Sequence, residues 1–407
     1  MVALVSAYRT GLPRGVYVLQ SGLVLNAFGN GAANPFQLIY LHEVRGIPLG
    51  IVSIASLTSA TSGLASSLVA GSLADRIGPK RTMIGGLAIS TTGFALYPLI
   101  ERGWHAIALA LVIGPGVGVW LTMQSVLLAA ITPAELRHVA FAQQRVAANI
   151  GLGFGGFAGG TIAATLGFTT LFLVNAATFA VYSVFVARIP GVAPPARTSE
   201  PFGYRTVIRD RTFLGIAGLN FVWVVALISL GVGVFPLFVH EHAGVGERAI
   251  GFLFLLNSLT IVVAQLPVAR AMEGRRRMRG FALMAVVFAA WWTIVTLTGA
   301  ALSGTIAIAV LTFAVVLLSL GECMYDAIQG PLVSDLAPPG RSGRYLAFSG
   351  FSWQLGFIVG PASATAMLAV APFAVMPVAA GLCLAGGAGA LRLERRLPPA
   401  FRVTPRR

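Results

Sequence analysis

Charge is what this sequence has least of. Only 13 acidic and 28 basic residues stand among 407, so that 10% of the chain is charged and 57% is hydrophobic, where a soluble domain carries about a quarter charged residues. A water-soluble globule is thereby excluded, and a bilayer is the solvent that fits. Cysteine is scarce too. Cys323 and Cys383 fall in apolar runs without metal or disulfide spacing, so both read as small buried side chains. No HExxH, GxSxG or phosphate-binding loop occurs, and the five histidines fall mostly at span ends or in loops, so neither an enzyme nor a metal or organic cofactor is expected. Strictly alternating polar and apolar runs are missing, which argues against a transmembrane barrel. The N-terminus, MVALVSAYRTGLPRG, lacks the short apolar core and cleavage site of a removable signal, so the first span is expected to serve as its own insertion signal.

What is present is length in apolar runs. Stretches of about 20 residues, enough to cross a hydrocarbon core of ~30 Å, recur from end to end. Twelve are read, near 15–41, 47–74, 82–100, 104–131, 139–164, 168–188, 212–239, 249–271, 280–299, 304–330, 345–370 and 373–391. Many carry closely spaced Gly, Ala, Ser and Thr, which suits helices packed against one another. The expectation is an all-α membrane protein of 12 transmembrane helices in two six-helix bundles. The N-terminal bundle would span 1–190, a Pro- and Arg-rich linker 191–211, and the C-terminal bundle 212–407.

Basic residues concentrate at the two termini and in the loops after even-numbered spans, whereas the loops after odd-numbered spans hold only Arg45, Arg102 and Arg248. Since cytoplasmic loops retain Lys and Arg, both termini are expected in the cytoplasm and the protein in the cytoplasmic (inner) membrane, multi-pass. The net charge of +15 follows the loops and forms no separate basic domain, so nucleic acid is not an expected partner; the lipid bilayer is.

The halves also resemble each other. NPFQLIYLHEVRGIPLG from Asn34 and FPLFVHEHAGVGERAIG from Phe235 align without a gap, setting Pro35 over Pro236 and Gly50 over Gly251, and RHVAF from Arg137 parallels RYLAF from Arg344. Two parallel repeats of six spans suit a transporter, with substrate held between the halves near the midplane.

The loop between spans two and three, GSLADRIGPKRTM, interrupts the apolar pattern with charges, glycines and a proline. Gly71 permits a close helix contact, Gly78 and Pro79 form a sharp turn, and Asp75 is placed to meet a positive helix end or an arginine. Gly71, Leu73, Ala74, Asp75, Arg76, Gly78, Lys80 and Arg81 fill a pattern that resembles the signature of the major facilitator superfamily, with Pro79 at a position that is usually basic. The resemblance covers essentially the whole chain. It implies that Asp75 contacts the start of span eleven, here GRSGRYLAF with Arg341 and Arg344, as a conformational latch between the halves. The corresponding turn of the second half, RAMEGRRRMRG, keeps the basic residues without the aspartate order, so the latch is expected to be asymmetric. In span five, Gly151, Gly155, Gly159 and Gly160 resemble the antiporter signature of drug:proton exporters, with Gly156 where that family has proline. The same four glycines also suit plain helix packing.

Ionisable residues inside a span are costly and mark function. Glu322 and Asp326 lie four apart on one face of span ten, and Arg145 of span five is their expected partner in a gate and proton-coupling site; a permanent neutralising pair would use the same residues. Asn26, Asn30 and Asn34 form an amide stripe on span one. Gln124, Asn149, Asn220, Trp223, Asn257, Tyr325, Trp353 and Gln354 complete the expected substrate cavity. Amides and aromatics without a central fixed charge suit an apolar or aromatic small molecule. His42, His240 and His242 gather in the loops of one side, where they sense pH or simply sit at the interface. The chain is thus expected to be a monomeric secondary transporter driven by the proton gradient, exporting hydrophobic drugs or natural products, or alternatively importing a small metabolite.

Overall fold

The computed structural model describes residues 11–133, 136–190, 205–228, 233–336 and 342–404. Twelve helical spans are present among the described residues. The first is α1, Arg14–Ala33, and the next five are α2 Leu49–Ile77, α3 Pro79–Leu96, α4 Gly103–Ile131, α5 Arg137–Leu166 and α6 Phe168–Ala187. The second half holds α7 Arg211–Trp223, α8 Glu247–Met272, α9 Arg277–Ala301, α10 Gly304–Leu336, α11 Ser342–Val370 and α12 Pro372–Leu393. Ten of these helices are long and apolar enough to cross a membrane. The other two, α1 and α7, open each half, and both spans are broken.

The cause of the breaks is local. After α1 the chain tightens through a 3-10 turn, Asn34–Phe36, and then widens into a π turn, Tyr40–Val44. Pro35 has no N–H to give to the helical ladder, so the turn forms where the ladder loses a bond. The seventh span widens into a π turn at Val224–Ile228 and resumes as Val234–Ala243, with Pro236 in the first turn where a missing N–H costs nothing. The gapless register that sets Pro35 over Pro236 does not carry through the following loop. There His42 corresponds to His240, each donating from Nδ1 to the carbonyl five residues on, Ile47 and Val245, both at 3.0 Å. Gly46 and Gly244 take matching positive φ angles of 65° and 62°, which only glycine adopts without strain.

Contacts divide the chain into two units, Met1–Asn34 with Thr58–Ser199, and Pro35–Leu57 with Glu200–Arg407. The end of the first span and the start of α2 therefore pack with second-half helices, and Ser53 Oγ donates to the Ala362 carbonyl of α11 at 2.6 Å. The packing division thus departs from a division at the linker by this one excursion. Within the first unit α1 packs on α5 and α6, and α3 on α4 and α6; within the second, α7 packs on α11 and α12, and α9 on α10 and α12. First on fifth and third on sixth is the same scheme twice, which is the sequence repeat expressed as packing.

Small residues make these approaches close. A Cβ at Gly151, Gly155 or Gly159 of α5 would overlap backbone of Val24, Phe28 or Ala32 on α1, and one at Gly31 would overlap Leu152. With lipid as apolar as the helices, such van der Waals dovetailing is what holds them together. In the second unit the large side chains fill the gaps. Trp223, Trp291 and Trp292 are fully buried, and Trp292 Nε1 donates to the Ala226 carbonyl at 2.8 Å, satisfying one carbonyl of the π turn.

Candidate functional site

In the first unit the amides of α1 turn inward. Asn26 is fully buried and Asn30 nearly so, and Asn30 Nδ2 donates to the Asn26 carbonyl and side-chain oxygens at 3.0 and 3.1 Å. Asn34 leaves the stripe, because it begins the 3-10 turn and is half-buried. Gln124 of α4 is buried and accepts a hydrogen bond from Tyr182 of α6. Asn26 Nδ2, Gln124 Nε2 and Asn175 Nδ2 are buried donors without a protein acceptor. Such groups cost free energy unless water or a ligand pairs with them. Gln20, Asn175 and Tyr182 belong to this polar interior and were not singled out in the sequence; the signal was an amide or phenol within an apolar span. Asn149 is half-buried on α5 and Arg145 is exposed one turn earlier.

In the second unit two polar joints tie helices together. Asn257 of α8 donates from Nδ2 to Glu322 Oε2 at 2.7 Å and to Ser319 Oγ at 3.0 Å, both on α10. Asn220 of α7 is buried, donates to Ser352 Oγ of α11 at 2.8 Å and accepts from Tyr325 of α10. Glu322 and Asp326 are both half-buried, one turn apart. Arg145 belongs to the other unit. Ser319 and Ser352 complete these joints; a serine within an apolar helix was the available clue. Trp223 is 1% exposed, with its ring 4.5 Å from that of Phe281, and fills the space over Gly386. It is a core residue, because its indole fits the notch left by a side chain of no size. Trp353 and Gln354 are half-buried, and Trp353 stacks on Phe357 at 5.1 Å.

The charged turn after α2 is built as its glycine and proline dictate. Gly78 has φ of 89°, and Pro79 opens α3 at the position where its missing N–H is harmless. Lys80, the chain's single lysine, reaches across to the end of α6, where Nζ donates to the carbonyls of Ala187 and Ile189 at 2.7 and 2.5 Å. It thus caps a negative helix end. Asp75, Arg76 and Arg81 are exposed. Gly71 is exposed with nothing within 4 Å of an added Cβ, so close helix contact does not explain it here. Arg341 lies outside the described residues; Arg344 is on α11, and its side chain is likewise outside them.

The second-half turn uses different ties. Arg277 Nη2 donates to Asp335 Oδ2 at 2.5 Å, with the Arg277 side chain 1% exposed. The chain beyond α12 returns to this turn: Gly274 N donates to the Thr404 carbonyl, Thr404 N to the Arg275 carbonyl and Arg277 N to the Arg402 carbonyl, Arg276 bridges to Val403, and Arg276 Nε lies 3.3 Å from Glu394 Oε1. At the other end of this unit, His42, Glu43, His240, Glu241 and His242 come together.

A duplicated six-helix scheme with broken first and seventh spans and a Gly-Pro turn after the second defines a class of membrane transporter. The Major Facilitator Superfamily model matches residues 21–240 and 226–406, and the chain belongs to that family. It is 25% identical over 362 residues to the multidrug resistance protein MdtH of Aeromonas salmonicida, covering 86% of each chain. It is 23% identical over 369 residues to a Na(+), Li(+), K(+)/H(+) antiporter of Planococcus maritimus, covering 81% of this chain and 84% of that one. Among solved structures it is similar to the nucleoside transporter NupG, with a TM-score of 0.76 at 9% identity over 93% of this chain and all of that one, a likeness of fold alone. The chain is a transporter and not an enzyme.

Proposed function

We propose that this protein exports apolar or aromatic compounds from the cytoplasm in exchange for protons, as a monomer working by alternating access. The observation that carries the reading is Glu322, a carboxylate on an otherwise apolar stretch of α10, held by Asn257 of α8. An acid within a membrane helix is kept at a cost and suits reversible proton binding. Asp326, one turn along, extends the same face. The buried amides of α1 and α4 supply donors, without fixed charge, for a largely apolar ligand. The relatives named for multidrug resistance and for cation/proton antiport support export and proton exchange respectively.

The test is flux in proteoliposomes with an imposed pH gradient, screening cationic dyes and drugs against sugars and amino acids. Dye accumulation is expected to follow the gradient and to collapse when an ionophore removes it. Glu322→Gln is expected to lower gradient-driven flux by about tenfold or more, as loss of one general proton carrier should, while the protein still binds dye. Drug flux indifferent to the gradient would overturn the reading.

A further inference from the structure

Four ionisable side chains at the end opposite the turn after α8 form two reciprocal pairs. His240 Nε2 lies 3.1 Å from Glu43 Oε2, and His42 Nε2 lies 3.6 Å from Glu241 Oε1. His42-Glu43 follows the first span and His240-Glu241 ends the seventh, so each histidine of one repeat faces the glutamate of the other. A third histidine, His242, stacks on Phe238 and sets Nδ1 3.9 Å from Glu241 Oε2. The four paired side chains are a quarter to a third exposed, partly withdrawn from water and open to protons.

The tautomer follows from the neighbours. His42 Nδ1 faces the Ile47 carbonyl and His240 Nδ1 the Val245 carbonyl, both at 3.0 Å. A carbonyl oxygen only accepts, so each Nδ1 carries the proton and donates. A neutral ring then turns the Nε2 lone pair towards a carboxylate oxygen, which is repulsive. The contact becomes attractive only when one further proton sits between Nε2 and the carboxylate. Glu43 is near enough to Glu241 for the two carboxylates to repel. Without the added protons the two glutamates stay close and unscreened.

The other charged groups near the cluster, among the described residues, are these. Arg45 is turned to Tyr40, with Nε 2.7 Å from the phenol oxygen. Glu247 and Arg248 open α8 beyond Val245. Of the helices packed against Val234–Ala243, α9 presents Gly299 against Phe238 and His242, and its arginines, Arg277 and Arg279, stand at its opposite end. On α11 the basic residue is Arg344, at the start of a helix that ends at Val370. Phe373 of α12 meets His242 edge-on.

We propose that the His42–Glu241 and His240–Glu43 pairs are a proton-binding latch, which takes up one proton per pair to hold the ends of the first and seventh spans together and releases them as the pH rises. The contact itself sets the sign: a proton between Nε2 and the carboxylate makes each pair attractive, and its loss leaves a lone pair against a carboxylate, so acid favours closure and alkali weakens it. Its place in transport rests on the proposed proton antiport. Protons arriving from the compartment beyond this end would close it and turn the carrier back towards the other side.

The test places spin labels at Val44→Cys and Arg248→Cys, both exposed positions, in a chain whose two native cysteines are buried. Distance distributions of the purified full-length protein in nanodiscs are then recorded from about pH 5 to about pH 8.5. The short-distance population is expected to dominate at low pH, with the ratio of closed to open forms falling by at least about tenfold across the range. His42→Gln with His240→Gln, and separately Glu43→Gln with Glu241→Gln, are each expected to abolish the pH response, whichever form they favour. A wild-type ratio that does not change with pH, or a response that survives either double substitution, would overturn the proposal. No substrate and no gradient enter the measurement, so a failed flux assay leaves the latch standing and a flat titration leaves antiport standing.

Discussion

A Cβ at Gly155 would overlap the Phe28 carbonyl oxygen, a backbone atom that cannot swing aside. Gly85, by contrast, is exposed on α3 with nothing within 4 Å of an added Cβ. The two substitutions to alanine are therefore expected to differ in sign. Gly155→Ala should destabilise the protein by about 1–3 kcal/mol through overpacking of α1 on α5, whereas Gly85→Ala should stabilise it by up to ~1 kcal/mol through helix propensity. Thermal melting in detergent checks both, and equal shifts would sink the packing account. The spacing of Gly151, Gly155 and Gly159 was readable in the sequence, but not what it meets. A glycine stripe specifies that something comes close; only the fold shows that α1 does, and that Gly31 answers it from the other side.

At the scale of elements, the two cytoplasm-type turns are relatives that have diverged in how they are fastened. After α2, Gly78 makes the turn and Lys80 reaches the end of α6. After α8, the positive φ falls on Gly274 and the fastening passes to Arg277, Asp335 and the returning tail. Arg277 Nε and Nη1 are buried without protein acceptors, so Asp335 is what offsets the burial of this charge. Asp335→Asn is expected to lower stability by about 1.5–3 kcal/mol, the scale of a lost hydrogen bond to a charged group. Since Asp335 is itself 39% exposed, water will soften the loss and the lower figure is the better guide. The double variant Arg277→Met with Asp335→Leu should recover part of it, because no charge is then left unpaired. Melting of the three proteins decides it; a double variant less stable than Asp335→Asn would contradict the argument. Nothing in RAMEGRRRMRG singles out Arg277 from its neighbours, and its partner is far away in sequence. Long-range ion pairs of this kind are not legible without the fold. The His–Glu pairs were half legible, as a cluster of histidines in two loops, but their crossing was hidden by the gapless alignment on Pro35 and Pro236, which places the dipeptides out of step.

For the molecule as a whole, span number, helical class and duplication were legible because each rests on a quantity summed over many residues: apolar length, charge spacing and repeated motifs. Orientation rests on such a sum as well. The turn at 273–279 alone holds four arginines, Arg275, Arg276, Arg277 and Arg279, and the C-terminal stretch adds Arg395, Arg396 and Arg402. Each is costly to carry across a bilayer, so the loops that hold them should stay on the cytoplasmic side during insertion. The opposite loops, with Arg45, Arg102 and Arg248, present far less to translocate. Both termini are accordingly expected on the cytoplasmic side, and the His–Glu pairs on the other. Fusions at the C-terminus check this directly. A fluorescent protein that matures only in the cytoplasm should be bright there, and an alkaline phosphatase that needs an oxidising compartment should be inactive. The same two reporters fused after Gly46 should give the reverse pattern. An active phosphatase at the C-terminus would invert the molecule, and with it the direction from which protons reach the latch.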